Sequence, residues 1–220
     1  MTVAQKFIVA DDHPLFREAL KQALQAGNEG VQIEEADTMD ATLARVAEHG
    51  DADLVLLDLH MPGANGFSGL IQLRAQAPEV PVAVVSGTEN ARVVRRAIDY
   101  GASGFIPKSA SLSTIVEAIA DIMDGEVWLP EGMEDVLEEG DEDDSRFAEA
   151  IASLTPQQFR VLGMLTSGLL NKQIAYDLNV SEATVKAHVT AILRKLGVHS
   201  RTQAVIAAQR LEIDPPRIDG

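Results

Sequence analysis

Apolar residues in the first 125 positions follow two alternating patterns. Helical spacing of three and four recurs between the apolar runs and after the last of them, as in Leu112, Ile115 and Ile119, and is typical of helices with one buried face. Five short runs predict strands: Phe7 to Ala10, Val31 to Glu35, Leu54 to Leu57, Val82 to Val85 and Gly104 to Ile106. Alternating strands and helices favour a doubly wound α/β fold with a five-stranded parallel sheet.

The pattern from residue 150 onward is helical and predicts a small all-α domain. Thr155, Pro156 and Gln158 have the spacing of a capping box, so a helix is expected to begin there. A short helix at 172–178 and a turn at 179–181 follow. A third helix from Glu182 to Leu196 then places apolar side chains on one face: Val185, Val189, Ile192, Leu193 and Leu196.

Charge divides the chain into the same two parts. The net charge is −16 overall, but residues 1–125 carry −9, residues 126–150 carry −10 and residues 151–220 carry +3. The acidic middle stretch has little apolar periodicity after Trp128, which predicts a solvated linker. We therefore expect domains at 1–125 and 150–213, an acidic linker at 126–149 and a C-terminal tail at 214–220. The linker is either a self-repelling spacer or a strip that competes with DNA for the basic domain.

Composition excludes several classes of function. The chain has no cysteine, which removes disulfides, thiol catalysis and cysteine-type zinc sites. Neither a secretory signal nor an apolar run long enough to cross a bilayer is present, so a cytoplasmic protein without membrane attachment is expected.

Polar residues follow four of the predicted strands. Asp11 and Asp12 come after the first strand, Asp58 after the third, Ser86 after the fourth and Lys108 after the fifth. A single Asp at such a place is usually a turn residue or a helix cap. Several together, at the edge where parallel sheets bind ligands, indicate a site. Three carboxylates in one pocket repel each other and so imply a cation, and oxygen ligands suit Mg²⁺.

These residues carry a specific resemblance. The pair Asp11-Asp12, the segment LVLLDLHMPG around Asp58, Ser86, and GFIPK ending at Lys108 resemble the receiver domain of bacterial two-component response regulators over nearly all of residues 5–124. The resemblance implies a flavodoxin-like fold in which Asp58 accepts a phosphoryl group from a partner histidine kinase. It also implies that Ser86 and Lys108 hold the phosphoryl oxygens.

The same resemblance implies a metal site and a switch. Asp12, Asp58 and the backbone carbonyl of His60 would ligate Mg²⁺, with Asp11 acting mainly through bound water. Phe105 stands where the family has an aromatic residue that turns inward on phosphorylation. Packing in the core is the alternative interpretation of Phe105.

The third C-terminal helix has a second face of small residues with cations beside it, which suits insertion into the major groove. Residues 153–209 resemble the LuxR/NarL-type helix-turn-helix. The resemblance implies base contacts from Lys186, Ala187 and Thr190. It implies phosphate contacts from four further residues, which are Lys172, Thr184, His188 and Arg194.

Two positions depart from the LuxR-type pattern. Gln158 replaces an acid, and Leu170 stands where a small polar cap is common, so Asn171 is expected to cap that helix instead.

Together the resemblances imply a DNA-binding transcriptional response regulator. Phosphorylation of Asp58 would promote dimerisation and binding to double-stranded promoter DNA, with a strip of Ala204, Val205 and Ala208 pairing two copies. No external substrate is expected, although the aspartyl phosphate could hydrolyse. The alternatives are a Mg²⁺-dependent phosphatase, disfavoured because His60 stands where a second acid is needed, and a pure relay protein, which would need no basic domain.

Overall fold

The computed structural model describes residues 5–27, 30–64, 66–133 and 142–212. It divides into two compact units, one ending at Asp144 and the other spanning Ser145–Glu212. None of the described helices is long and apolar enough to cross a membrane.

The first unit is built on a five-stranded sheet in the order β2-β1-β3-β4-β5, with every neighbouring pair parallel. Its strands are β1 Lys6–Ala10, β2 Gln32–Ala36, β3 Leu54–Leu57, β4 Val82–Ser86 and β5 Gly104–Pro107. These bounds lie within one residue of the predicted ones, and the doubly wound parallel fold is confirmed. All residues of β3, β4 and β5 are buried, as expected for strands covered on both faces.

Four helices connect the strands and a fifth follows β5: α1 Pro14–Gly27, α2 Met39–Glu48, α3 Ser68–Gln76, α4 Ala91–Asp99 and α5 Leu112–Met123. One hydrophobic core joins the sheet to α1 and α5 through Leu20, Leu24, Ile115 and Ile119. These four residues have the helical spacing seen in the sequence, because only side chains three or four positions apart share a helix face.

The start of the predicted linker packs against the sheet. The backbone N–H of Phe105 donates to the carbonyl oxygen of Trp128 at 2.9 Å, and Trp128 forms a parallel bridge with Gly104 at the β5 edge. A Cβ on Gly104 would lie 3.0 Å from the Trp128 carbonyl oxygen and 2.7 Å from Cδ1 of Ile122. Glycine therefore permits this close approach, which seals the outer edge of the sheet.

The end of the predicted linker is also folded. Helix α6, Glu142–Ala152, begins inside it and buries Phe147 and Ile151. Phe147, Ile151 and Leu154 have helical spacing, a signal that the neighbouring acidic run obscured. The linker prediction at 126–149 is therefore wrong at both ends. Residues 134–141 and the predicted tail at 214–220 lie outside the described residues.

The second unit is a bundle of short helices. After α6 come α7 Pro156–Thr166, α8 Asn171–Asp177, α9 Glu182–Lys195, α10 Arg201–Ala208 and a 3₁₀ turn at Gln209–Leu211. The capping box is confirmed: Thr155 Oγ1 accepts from Gln158 N–H at 3.3 Å, and Gln158 Oε1 accepts from Thr155 N–H at 3.1 Å.

Two expectations about this unit are wrong. Asn171 does not cap α8: Leu170 is the N-cap residue, and the Gln173 side chain accepts from its N–H at 2.7 Å. Ala204 and Ala208 are 0% and 4% exposed, so they pack into the unit's own core rather than forming a strip for pairing. A small domain needs such residues inside, and the exposed apolar residue of α10 is Ile206.

Gly104→Ala should push the Trp128 segment away from β5. The added methyl group would meet a backbone carbonyl that cannot move without losing its hydrogen bond, a cost of about 1–3 kcal/mol. Trp128 is the only tryptophan, so its emission should shift to longer wavelength. Gly163→Ala, where a Cβ would meet no atom within 4 Å, is the matched control. Unchanged emission from Gly104→Ala would contradict the proposed packing.

Candidate functional site

The carboxylates that follow β1 and β3 meet at the carboxyl edge of the sheet. Asp58 N–H donates to the carbonyl of Ala10 at 2.8 Å, which fixes the end of β3 beside the end of β1. The side chains of Asp11 and Asp58 are 3% and 1% exposed, whereas that of Asp12 is 33% exposed. Two buried carboxylates in one pocket repel one another unless a cation lies between them.

Lys108 supplies that cation. Its Nζ lies 2.8 Å from Asp58 Oδ2 and 2.6 Å from Asp11 Oδ2. Lys108 directly follows β5, and its N–H donates to the carbonyl of Ser86 at 2.9 Å, so the sheet itself holds the amine in place. The pocket therefore contains two buried negative charges and one fixed positive charge.

His13 faces the same pocket. Its Nδ1 lies 2.8 Å from Asp12 Oδ1, 3.1 Å from Asp11 Oδ1 and 3.9 Å from Asp58 Oδ2. This contact was not expected from the sequence, because a His-Pro pair at a helix start more often shapes the turn.

Arg17 supports the backbone beneath the pocket. Its guanidinium group donates to the carbonyl oxygen of Asp11 and, at 3.2 Å, to the carboxylate of Glu35. Lys21 also hydrogen bonds Glu35 and holds the pKa of that carboxyl below its usual value, so Glu35 stays ionised. This ion-pair group was not foreseen from the sequence, since its members lie on α1 and β2.

The pocket has the donor set for a hard divalent cation. One ligand atom from each of Asp11, Asp12, His13 and Asp58 falls within 4.8 Å of the others. Asp11 Oδ2 and Asp12 Oδ1 are buried and have no hydrogen-bond partner, although Lys108 Nζ lies 2.6 Å from the first and His13 Nδ1 2.8 Å from the second. Carboxylate oxygens left in this condition fit Mg²⁺.

His60 is attached to the pocket by its backbone. Its N–H donates to Asp58 Oδ1 at 3.0 Å, which leaves both carboxylate oxygens of Asp58 with a donor partner. The imidazole is 43% exposed, with Nδ1 3.9 Å from Asp58 Oδ1.

Ser86 ends β4, and Phe105 lies on β5, the neighbouring edge strand, two residues before the position that pairs with Ser86. Both are fully buried, and the Ser86 hydroxyl oxygen accepts from Thr88 N–H at 3.2 Å. Phe105 pairs in register with Val84 of β4, and its N–H is the one bonded to Trp128. A displacement at Ser86 therefore has a short covalent and hydrogen-bonded route to the β5 edge.

A second candidate surface lies on the C-terminal unit. Asn179, with φ of +52°, makes the turn after α8, and Ser181 Oγ caps α9 by accepting from Thr184 N–H at 3.1 Å. Val185 and Ile192 bury the inner face of α9. Six of the residues predicted to contact DNA are exposed and His188 is half-buried; the six are Lys172, Thr184, Lys186, Ala187, Thr190 and Arg194.

Two further residues lie near this surface. Lys195, a cation at the end of α9, donates through its Nζ to Gln158 Oε1 at 2.8 Å and so binds within its own unit. Tyr176, 86% exposed, was missed. It lies one helical turn after Lys172, and that four-residue spacing is the signal that could have found it.

Two sequence families match these two units. The model of the response regulator receiver domain matches residues 7–120, and that of the luxR family of bacterial regulatory proteins matches residues 152–208. The chain is a response regulator with a LuxR-type DNA-binding domain. The acidic pocket lies within the residues matched by the receiver model, and α8 and α9 lie within those matched by the luxR model.

Relatives match this chain over both units. The regulator is 46% identical to the glycerol metabolism activator of Pseudomonas putida over 92% of this chain and 94% of that one. It is 32% identical to the nitrate/nitrite response regulator NarL of Escherichia coli, over 90% and 92% of the two chains. The fold resembles that of RcsB from Salmonella typhimurium, with a TM-score of 0.55 and 23% identity over 94% and 98%.

Asp58→Asn should abolish phosphorylation by acetyl phosphate. The amide keeps the volume and the acceptor for His60 N–H but removes the nucleophilic charge. Intact-mass spectrometry should show the added phosphoryl group on the wild type and not on the variant. The matched control is Asp37→Asn, an exposed Asp after β2, which should be phosphorylated normally. Equal phosphorylation of the Asp58 variant would exclude Asp58 as the acceptor.

Proposed function

We propose that this regulator binds promoter DNA under the control of phosphoryl transfer from a partner histidine kinase to Asp58. The observation that carries the proposal is the buried Asp58 carboxylate, held 2.8 Å from Lys108 Nζ in a chain that also contains a LuxR-type helix-turn-helix. The proposed role is control of transcription in the cytoplasm.

The transfer needs little covalent chemistry from the protein. A carboxylate oxygen of Asp58 forms the new O–P bond while the P–N bond of the kinase phosphohistidine breaks, and the imidazole keeps the electron pair and takes a proton. Lys108 then offsets the negative charge on the transferring oxygens, and Ser86 donates to one of them. Positioning and charge compensation of this kind supply most of the catalysis in phosphoryl transfer.

Asp11, Asp12, Asp58 and the backbone carbonyl of His60 are the proposed ligands of Mg²⁺. When bound, Mg²⁺ adds positive charge next to the oxygens that carry negative charge in the transfer. The two buried carboxylate oxygens without hydrogen bonds, on Asp11 and Asp12, support this assignment. Hydrolysis of the aspartyl phosphate is the only turnover we propose, with no external substrate.

The proposed switch begins with the new phosphoryl oxygens. They give Lys108 a more highly charged partner and give the Ser86 hydroxyl, whose oxygen accepts from Thr88 N–H, an acceptor for its own hydrogen, so both groups are drawn toward Asp58. Phe105, on the strand that pairs with the strand of Ser86, is the proposed switch residue. Its backbone bond to Trp128 then carries the change to the segment that follows α5.

The proposed DNA contacts divide by role. Lys186, Ala187 and Thr190 on the exposed face of α9 meet base edges in the major groove. Four residues contact the phosphates and fix the orientation of the module, namely Lys172, Thr184, His188 and Arg194. The positive charge of residues 151–220 favours this binding although the whole chain is acidic.

We also propose that phosphorylation pairs two copies on two half-sites. A single small helix-turn-helix makes few base contacts, so a dimer gains affinity through effective concentration. Ile206, 59% exposed on α10, is the apolar residue available for pairing there, in place of the buried Ala204 and Ala208.

Beryllofluoride, which stands in for the phosphoryl group on Asp58, should convert the protein to a dimer and tighten its binding to a two-half-site duplex. The expected gain is on the order of 100-fold, because the second module binds as an intramolecular event. Light scattering and gel shift at one salt concentration measure the two effects. Asp58→Asn, treated identically, should show neither. An activated wild type that stays monomeric and binds no more tightly would refute the switch.

A further inference from the structure

The exposed face of α9 presents an unusual combination of groups. Ala183, Lys186, Ala187 and Thr190 recur at intervals of three and four, and all four are exposed. Lys186 is the one member of this set with a charged end, and the alanines offer only methyl groups. Whether this face is mainly apolar or polar therefore depends on whether the methyl or the hydroxyl group of Thr190 is free to make contacts.

The hydroxyl group of Thr190 is already committed. Its Oγ1 donates to the backbone carbonyl of Lys186, one turn earlier, at 3.0 Å. This bond uses the only hydrogen that the hydroxyl can donate and holds the oxygen against the helix backbone. The remaining substituent on Cβ is the methyl group, so Thr190 extends the apolar strip begun by Ala183 and Ala187.

A methyl strip in the major groove has one specific complement. Among the groups that base pairs expose there, the C5 methyl of thymine is the apolar one, and alanine and threonine methyls pack against it. Donors such as the Thr190 hydroxyl could instead read an acceptor on a base, but that would require breaking the bond to Lys186 O.

We propose that Thr190 is a specificity-determining residue that recognises thymine through its methyl group, with Ala187 beside it. The proposal rests on the proposed function, in which α9 enters the major groove of DNA. The base pairs that face this strip are then expected to be A·T pairs with thymine on the contacted strand. Lys186 reads a hydrogen-bond acceptor on a neighbouring base.

The test removes one methyl group at a time from each side of the contact. Full-length protein activated with beryllofluoride first selects a duplex from a random pool. Each thymine of that duplex is then replaced by deoxyuridine, which lacks only the C5 methyl. In each half-site we expect one thymine at which the replacement weakens binding about fourfold. This factor corresponds to the free energy of burying one carbon group.

Two variants separate the ends of the Thr190 side chain. Thr190→Ser keeps the hydroxyl and loses the methyl in both copies of the dimer, so it should bind the thymine duplex about 16-fold more weakly, fourfold for each half-site, and become insensitive to deoxyuridine at those positions. Thr190→Val keeps a methyl group and loses the hydroxyl, so it should retain both the affinity and the deoxyuridine effect. Thr202→Ser, the same change at an exposed position of α10, is the matched control and should behave as wild type.

The outcomes separate this proposal from the function on which it rests. Two results would overturn methyl recognition: loss of binding in Thr190→Val, or a deoxyuridine effect that persists in Thr190→Ser. Neither result would contradict DNA binding by the wild type. A wild-type protein that binds its duplex with no sensitivity to any thymine methyl would also overturn methyl recognition. Failure of the activated wild type to select any duplex would overturn the proposed function as well.

Discussion

The receiver unit depends on one electrostatic constraint: two carboxylates are buried side by side, and a single amine lies between them. Lys108 approaches both Asp11 and Asp58 within 2.8 Å. Removing such a charge from a buried pair typically costs about 3–5 kcal/mol, because the remaining charge has no partner. The position of Lys108 therefore has to be maintained, and the sheet does this through β5.

This constraint links the chemistry to the rest of the unit. Lys108 follows β5, the outer edge of which is closed by the backbone of Trp128 against Gly104. A phosphoryl group on Asp58 competes with Asp11 for the Lys108 amine and offers Ser86 an acceptor. The interactions that position Lys108, and with it β5, therefore change. A buried charge cannot be added without a response from its partners, which makes this pocket suitable for a switch.

Much of the fold and the pocket could be predicted from sequence, for identifiable reasons. Strands buried on both faces give continuous apolar runs, and parallel topology brings Asp11, Asp58 and Lys108 to one edge without further information. What escaped prediction depends on tertiary contacts. His13 turns toward the acids, Lys195 binds Gln158, and Ala204 is needed inside the bundle. Local spacing cannot reveal which of several possible partners a side chain meets.

The central claim is that the receiver pocket and the DNA surface are energetically coupled, and linkage gives its most direct test. If beryllofluoride tightens DNA binding by some factor, DNA must tighten beryllofluoride binding by the same factor. The emission of Trp128, the only tryptophan, can report a titration of beryllofluoride with Mg²⁺ present, with and without saturating two-half-site duplex. The account predicts a tighter midpoint with DNA, matching the gel-shift ratio. Identical midpoints with and without DNA would contradict it.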